Sequence, residues 1–311
     1  MTAAAEHGAA PAPVPSPRAA REERPLRDFA REYARGVGGM VGLAVLLTVL
    51  ALAALAPVIS PQDPYDLMQV DLLDNLLAPG ETSFSGMTYW LGTDRQGRDM
   101  LSAILYGLRT SLVVGVLSGA LALMFGTVVG LAAAYLGGKA DALIMRIVDL
   151  QLSLPSILVA LILMVVLGDG VDKIIFALVV VQWAYFARTV RGVALVENSR
   201  EYMDAARCLK LGHARIVFGH LLPNCTPTLI VIGTVQVASA ISLEATLSFL
   251  GLGLPPTEPS LGLLISNGFA FMMSGNYWIS VFPGVALLVT IVSINMVGDR
   301  LRDVLNPRLE R

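Results

Sequence analysis

The sequence predicts an all-α, polytopic membrane bundle, and three observations carry that prediction. Only 15% of the 311 residues are charged, against about 25% in an ordinary soluble domain, so there is too little polar side chain to cover a water-facing surface. Hydrophobic residues make up 55% of the chain and gather in runs of about 20, the length that crosses a hydrocarbon core roughly 30 Å thick. The basic residues are then asymmetric: with six spans and both termini inside, 18 of the 22 Lys and Arg fall on the inner side, the bias that orients membrane proteins.

The same composition excludes other classes. A net charge of −2 with three lysines is not the concentrated basic face of a nucleic-acid binder. Cys208 and Cys225 are too few for a disulfide framework. His7, His213 and His220 are scattered and form no H-E-x-x-H pattern, so no metal site is expected.

Residues 1–25 are an Ala/Pro tail with nothing to bury, expected to be disordered and cytoplasmic. Residues 26–60 bring Arg27, Arg31 and Arg35 ahead of the first apolar run, 40–59. Ala54-Leu55-Ala56 resembles a signal-peptidase site. The run is longer than the 7–15 residues of a signal peptide, however, and Pro57 follows the cut position, so a retained anchor is expected. The later spans are placed at 112–136, 147–167 as one helix, 174–187 continuing past Arg188 and Arg191, 226–250 and 279–297. The stems of Arg188 and Arg191 can snorkel to the interface. Asp149 lies three residues after Arg146, where an i, i+3 ion pair accounts for both. Gly115, Gly119, Gly126 and Gly130 form two G-x-x-x-G pairs near one face of the second span. They suit close packing inside the bundle or, alternatively, against a second membrane subunit.

The outer segment 61–110 is too long for a mere connection. Thr93 and Gln96 fit a capping box. Leu101, Ile104, Leu105, Leu108 and Leu112 then share one helix face, which predicts a helix lying in the interface before turning into the second span. Thr93, Asp94, Gly97, Arg98 and Asp99 read either as cap and surface residues or as a docking or gating surface. On the inner side, 197–224 contains two short amphipathic segments around a turn near Gly212, and Pro223 is expected to end the second. Met203, Ala206 and Leu209 share a face of the first; Ile216, Val217 and Leu221 form an apolar set on the second. Such a segment can lie in a partner's groove or fold back on its own bundle. Glu244 is the one acid well inside a span, which marks it for function by default. Placed near the outer edge of the core, with Ser242 and Ser248 beside it, it is expected to face a pathway or outer gate, or else to cap the turn into Gly251.

Several segments carry a family resemblance. The stretch Asp204-Ala205-Ala206 through Leu222-Pro223 resembles the EAA loop of ABC importer permeases, and LGTDRQGRD, SAILYGLRTSL, LSLPSILVAL, EATLSFLGLGLPP with PSLG, and VGDRLRDVLNPRL resemble the dipeptide/oligopeptide (DppC/OppC-like) branch. The resemblance runs in register from about residue 29 to 309. It departs from the pattern at Asp204 for the leading Glu, at Lys210 where the pattern has glycine, and at Leu261 where a Trp is usual. Lysine is disfavoured in a turn needing positive φ, so Gly212 is expected to supply that turn.

The resemblance implies a type I importer permease fold with a MetI-like core over 111–298 and a cytoplasmic tail over 299–311, in a bacterial cytoplasmic membrane. It implies a subunit that forms half of a translocation pathway. Its partners would be a second, DppB/OppB-like permease, two ABC ATPases contacting Asp204, Ala205, Ala206, Gly212, Leu222 and Pro223, and an extracytoplasmic binding protein, all amid membrane lipid. The solute would be a di- or oligopeptide, with a nickel complex or glutathione as alternatives. No cofactor would be bound by this chain; ATP and magnesium would sit on partner subunits. The sequence agrees independently, since it holds no phosphate loop: Gly137-Gly138-Lys139 lacks the upstream Gly and the downstream Ser or Thr. An intramembrane enzyme needs a buried nucleophile–base or metal set, for which one carboxylate is too little; a channel subunit is the other competing class.

Overall fold

A computed structural model describes residues 25–305 apart from 65, 67, 84, 85, 256 and 257; the expectations for 1–24 and 306–311 lie outside the described residues. Among these residues the regular structure is helical. The order is α1 Pro25–Ala34, α2 Val37–Ile59, α3 Met100–Leu136, α4 Gly138–Ser153, α5 Ser156–Leu167, α6 Val171–Asn198, α7 Glu201–Cys208, α8 His213–Ile216, α9 Leu222–Phe249, α10 Leu261–Phe269 and α11 Trp278–Leu305. A π-helical turn, Val217–Leu221, joins α8 to α9, so His213–Phe249 runs as one helix of 37 residues. Five helices are long and apolar enough to cross a membrane: α2, α3, α6, the α8–α9 rod and α11.

The sixth expected span is broken. α4 and α5 meet at 87°, because Pro155 lacks an N–H and disfavours helical backbone in the residue before it; Leu154 is extended (φ −90°, ψ 138°). The single helix expected over 147–167 is therefore two.

The outer approach to the second span also differs from expectation. No helix starts at Thr93; α3 begins at Met100 as one uninterrupted 37-residue helix capped by Asp99. At about 1.5 Å per residue it is roughly 55 Å long, well beyond a hydrocarbon core. Its first turns are covered by protein, since Met100, Ala103, Ile104 and Leu108 pack with Val49, Ala53, Leu264, Trp278 and Ile279. Their apolar stripe meets other helices rather than a membrane surface.

The four glycines of the two G-x-x-x-G pairs in α3 serve internal packing, split between two neighbours. Gly115 and Gly119 receive Ile241 and Val237 of α9, while Gly126 and Gly130 let the α6 backbone approach at Trp183 and Ala187. A β-carbon on Gly126 would lie 2.5 Å from both the Phe186 β-carbon and the Trp183 carbonyl oxygen. Arg188 and Arg191 do not simply snorkel. They bridge α6 to α4, Arg188 pairing with Asp149 and Arg191 holding both carboxylate oxygens of Asp141 at 2.5 Å. Asp149 thus pairs across helices rather than with Arg146.

Candidate functional site

Three constellations matter. The first is α7 and the turn after it, at the end of the bundle where α6 finishes. Met203 and Ala206 are buried against Leu131 and Ala134 of α3, Val190 and Ala194 of α6, and Ile216, Leu221 and Leu229. The apolar faces of both short segments therefore fold back on their own bundle. Ala205 on α7 and Phe218 in the π turn are exposed, and Leu209, expected on the buried face, lies past the end of α7 and is exposed as well. Asp204 is exposed and paired with Arg207 at 2.7 Å. Tyr202 donates to Glu197 at 2.9 Å, and burial, helped by that carboxylate, raises its phenol pKa.

The turn is at Lys210, not Gly212. Lys210 has φ +53°, whereas Gly212 has φ −61° and ψ 146° and would accept a side chain without contact. The expected shift of the turn did not happen, because the C-terminus of α7 closes through Lys210 N–H to Arg207 and Leu211 N–H to Ala206. That geometry needs a left-handed residue one step past the last cap position. Nor does Pro223 end a segment. The π turn before it, in which Leu222 N–H reaches Val217, widens the helix where a proline ring would otherwise collide with the preceding turn.

The second constellation is the segment between α2 and α3. Thr93, Asp94, Arg98 and Asp99 are all buried, so they are neither surface residues nor an open docking face. Thr93 Oγ1 donates to the Asp74 carbonyl at 2.6 Å and accepts from Leu77 N–H at 2.8 Å. Two N–H groups of the Arg98 guanidinium grip one Asp94 oxygen at 2.7 Å, and the other oxygen accepts from the Gln96 and Arg98 backbone. Gly97, at φ +79°, lies so close to the Asp71 carbonyl that a β-carbon would sit 2.1 Å from its oxygen. Gln62 and Asp74, which sequence reasoning missed, complete the set. Gln62 accepts from Asp99 N–H at 2.7 Å, and Asp74 accepts from Ser83 at 2.5 Å and Tyr89 at 3.1 Å. Burial, reinforced by Asp74, pushes the Tyr89 phenol up to about 12.

The third is Glu244, fully buried on α9. Ser111 of α3 and Ser248 donate to its two oxygens at 2.8 Å, and Ser260 lies close enough to interact with it. Ser260 Oγ also accepts from Leu263 N–H at the start of α10. Beside it the Gly262 backbone presses on Ala245, where a β-carbon would lie 2.3 Å from the Ala245 carbonyl oxygen. Glu244 thus neither faces an opening nor caps the turn into Gly251. It ties α3, α9 and α10 together. Ser248, at i+4, was findable by spacing; Ser111, 133 residues away, carried no local signal.

Comparison with known proteins decides what this architecture belongs to. The family described as "Binding-protein-dependent transport system inner membrane component" matches residues 126–311, and the "N-terminal TM domain of oligopeptide transport permease C" matches residues 24–79. It belongs to the DppC/OppC-like family of ABC transporter permeases. The dipeptide transport system permease protein DppC of Escherichia coli K12 is 38% identical over 312 residues, covering 100% of both chains. The di/tripeptide permease DppC of Pseudomonas aeruginosa is 35% identical, covering 92% of this chain and 93% of that protein. The DppC permease of Bacillus subtilis is 35% identical, covering 92% and 86%. Among solved structures, an inward-facing form of the MetNI methionine ABC transporter shares the fold, with TM-score 0.56, 22% identity and 67% of this chain covered. As a DppC/OppC-like permease the chain is a multi-pass protein of the bacterial inner membrane. It is the membrane-spanning subunit of a transporter, not itself an ATPase, in a family whose members bind no cofactor of their own.

Proposed function

We propose that this permease is one of two membrane subunits of an ATP-driven importer of di- or oligopeptides. The observation that carries the reading is the end-to-end likeness to the dipeptide permease of E. coli. In this reading residues 111–298 form half of the pathway, a DppB/OppB-like permease forms the other half, and an extracytoplasmic binding protein delivers the solute. Two ATPase subunits dock on 197–224. The basic residues around α7 and at both ends of the chain support a cytosolic placement of that side.

The structure refines which residues the ATPase would meet. Ala206 holds α7 to the bundle and is 4% exposed, so the contact falls to Ala205, Leu209 and the Asp204–Arg207 edge. The test is Ala205→Glu in the complex reconstituted into proteoliposomes. Assembly should be normal, while ATP hydrolysis stimulated by solute-loaded binding protein falls at least about tenfold, the effect of roughly 1.4 kcal/mol or more at an interface. Full stimulation in an assembled variant would remove this face from coupling. Uptake of glutathione or a nickel complex in place of dialanine would reassign the substrate.

A further inference from the structure

A groove of about 520 Å³ opens on the side of the bundle between α5, α6, α9 and α11. Its walls include Gln182, Gln236, Ser239, Ser242, Thr246 and Asn295, and none of the described residues lining it carries a charge. On α9 the polar positions 236, 239, 242 and 246 form one stripe, at helical spacing. Glu244 and Ser248 bury on the opposite face. Gln182 lies near the middle of α6, about 16 Å from its start at roughly 1.5 Å per residue, so the groove sits at mid-depth of a hydrocarbon core.

A polar stripe at that depth is unfavourable against lipid tails. The contrast within the same molecule is direct. A second groove, between α2, α3, α9 and α11, is lined by Leu46, Leu50, Leu112, Val116 and Leu123 among others, a surface suited to lipid. Gln182 makes the polar groove more specific. Its side chain is 3% exposed, its amide nitrogen donates to the Gln236 carbonyl at 3.4 Å, and its amide oxygen has no partner. Turning the amide over would set oxygen against oxygen, so the orientation is fixed by that bond. A buried acceptor left empty costs free energy that an incoming donor recovers.

Resting on the reading of the chain as a solute permease, we infer that this groove is its wall of the passage, and that Gln182 Oε1 receives an N–H from the solute in transit. The lining of amides and hydroxyls matches peptide N–H and C=O groups through hydrogen bonds and offers no charged group to pair with a charge on the solute. The solute class is therefore one with a hydrogen-bonding backbone of zero or low net charge.

The experiment uses the full complex in proteoliposomes with dialanine as the probe, and labelling is read as the gain over the parent protein, which carries Cys208 and Cys225. Ser242→Cys should react with a hydrophilic methanethiosulfonate, which needs a hydrated thiolate. Ala240→Cys, on the buried face of the same helix, should not. Gln182→Leu should lower the uptake rate at saturating loaded binding protein by roughly 3- to 10-fold, the worth of one neutral hydrogen bond, in a complex that assembles normally. An unreactive Ser242→Cys in an assembled complex overturns the assignment of the groove. Wild-type uptake by Gln182→Leu overturns the role of Gln182. If the wild-type complex does not carry dialanine, the substrate reading above fails instead, while the labelling pattern still reports on the groove.

Discussion

Lys210 is a non-glycine residue held at φ +53°, a conformation that costs an L-residue roughly 1–2 kcal/mol. Lys210→Gly should therefore stabilise the detergent-solubilised complex by up to about 1 kcal/mol, after the larger unfolded-state entropy of glycine is counted. Gly212→Ala should be neutral within about 1 kcal/mol, since the backbone there is extended and the space open, and the chain entropy removed offsets the poorer N-cap. Thermal unfolding of the two variants checks both, and the reverse order would return the turn to Gly212. Glu244→Ala removes the acceptor for two serine hydroxyls; unsatisfied buried donors and a cavity together predict a loss of about 3–5 kcal/mol. Glu244→Gln retains a carbonyl acceptor and should lose much less. Tyr89 supplies a pH signature. Its phenol is raised from 10.0 to about 12 by burial and Asp74, so the folded state favours the neutral form. That contribution is complete below about pH 10 and is lost as the pH rises toward 12. The stability gap between wild type and Tyr89→Phe should stay constant from pH 7 to 9 and shrink above 10. The glycine of the family pattern could be located in the sequence at Lys210, but not the conformation there. Only the α7 hydrogen bonds determine which residue must be left-handed.

At the level of elements, apolar run length was a good guide to the spans and a poor one to their ends. α6 and α9 continue well past their apolar stretches because Arg188 and Arg191 find carboxylates on α4 and because a π turn absorbs Pro223. Both depend on partners distant in sequence. The stripe Leu101 to Leu112 was legible as one face of a helix, but periodicity cannot distinguish a membrane surface from a neighbouring helix. The same limit applied to Met203 and Ala206, whose apolar face turned inward. Glycine spacing was more informative, and its packing role can be tested. Gly126→Val drives a side chain into α6 and should cost about 3 kcal/mol or more, seen as loss of folded protein from the membrane. Gly192→Ala on α6, where a β-carbon would meet nothing within 4 Å, should be neutral or gain up to about 1 kcal/mol from helix propensity. Equal yields of the two variants would remove Gly126 from the α3–α6 seam.

Across the whole molecule, the described part of the segment between α2 and α3 forms a cap that packs Leu76, Ala78 and Leu91 against the bundle core and is joined to it by polar contacts. The Asp94–Arg98 pair closes it internally, Asp99 and Gln62 join it to the start of α3, and Trp278 Nε1 donates to the Thr93 carbonyl at 3.2 Å from α11. Arg98→Ala leaves Asp94 buried with its charge uncompensated, which predicts a loss of about 3–5 kcal/mol, confined to the cap. Protease added from that side should cut within 60–99 in the variant and spare α6 and α9; protection equal to wild type would show the cap held by other means. The sequence contained the residues of this cap as a motif but not their burial, because the oxygen that closes on Gly97 comes from Asp71 and the acceptor for Asp99 N–H from Gln62. A different arrangement unites the ends of the bundle. α9 shares the α7 cluster at its foot through Cys225 and Leu229, carries the polar stripe at its middle, and is fastened to α3 and α10 at its head by Glu244. It is a helix about 42 Å long at roughly 1.5 Å per residue, with Pro227 near its foot. Pivoting such a helix through about 5° at the foot sweeps its head sideways by about 4 Å and moves its midpoint half as far. The wide π turn lies at that foot, next to α7, so any displacement that α7 passed to it would reach the head enlarged.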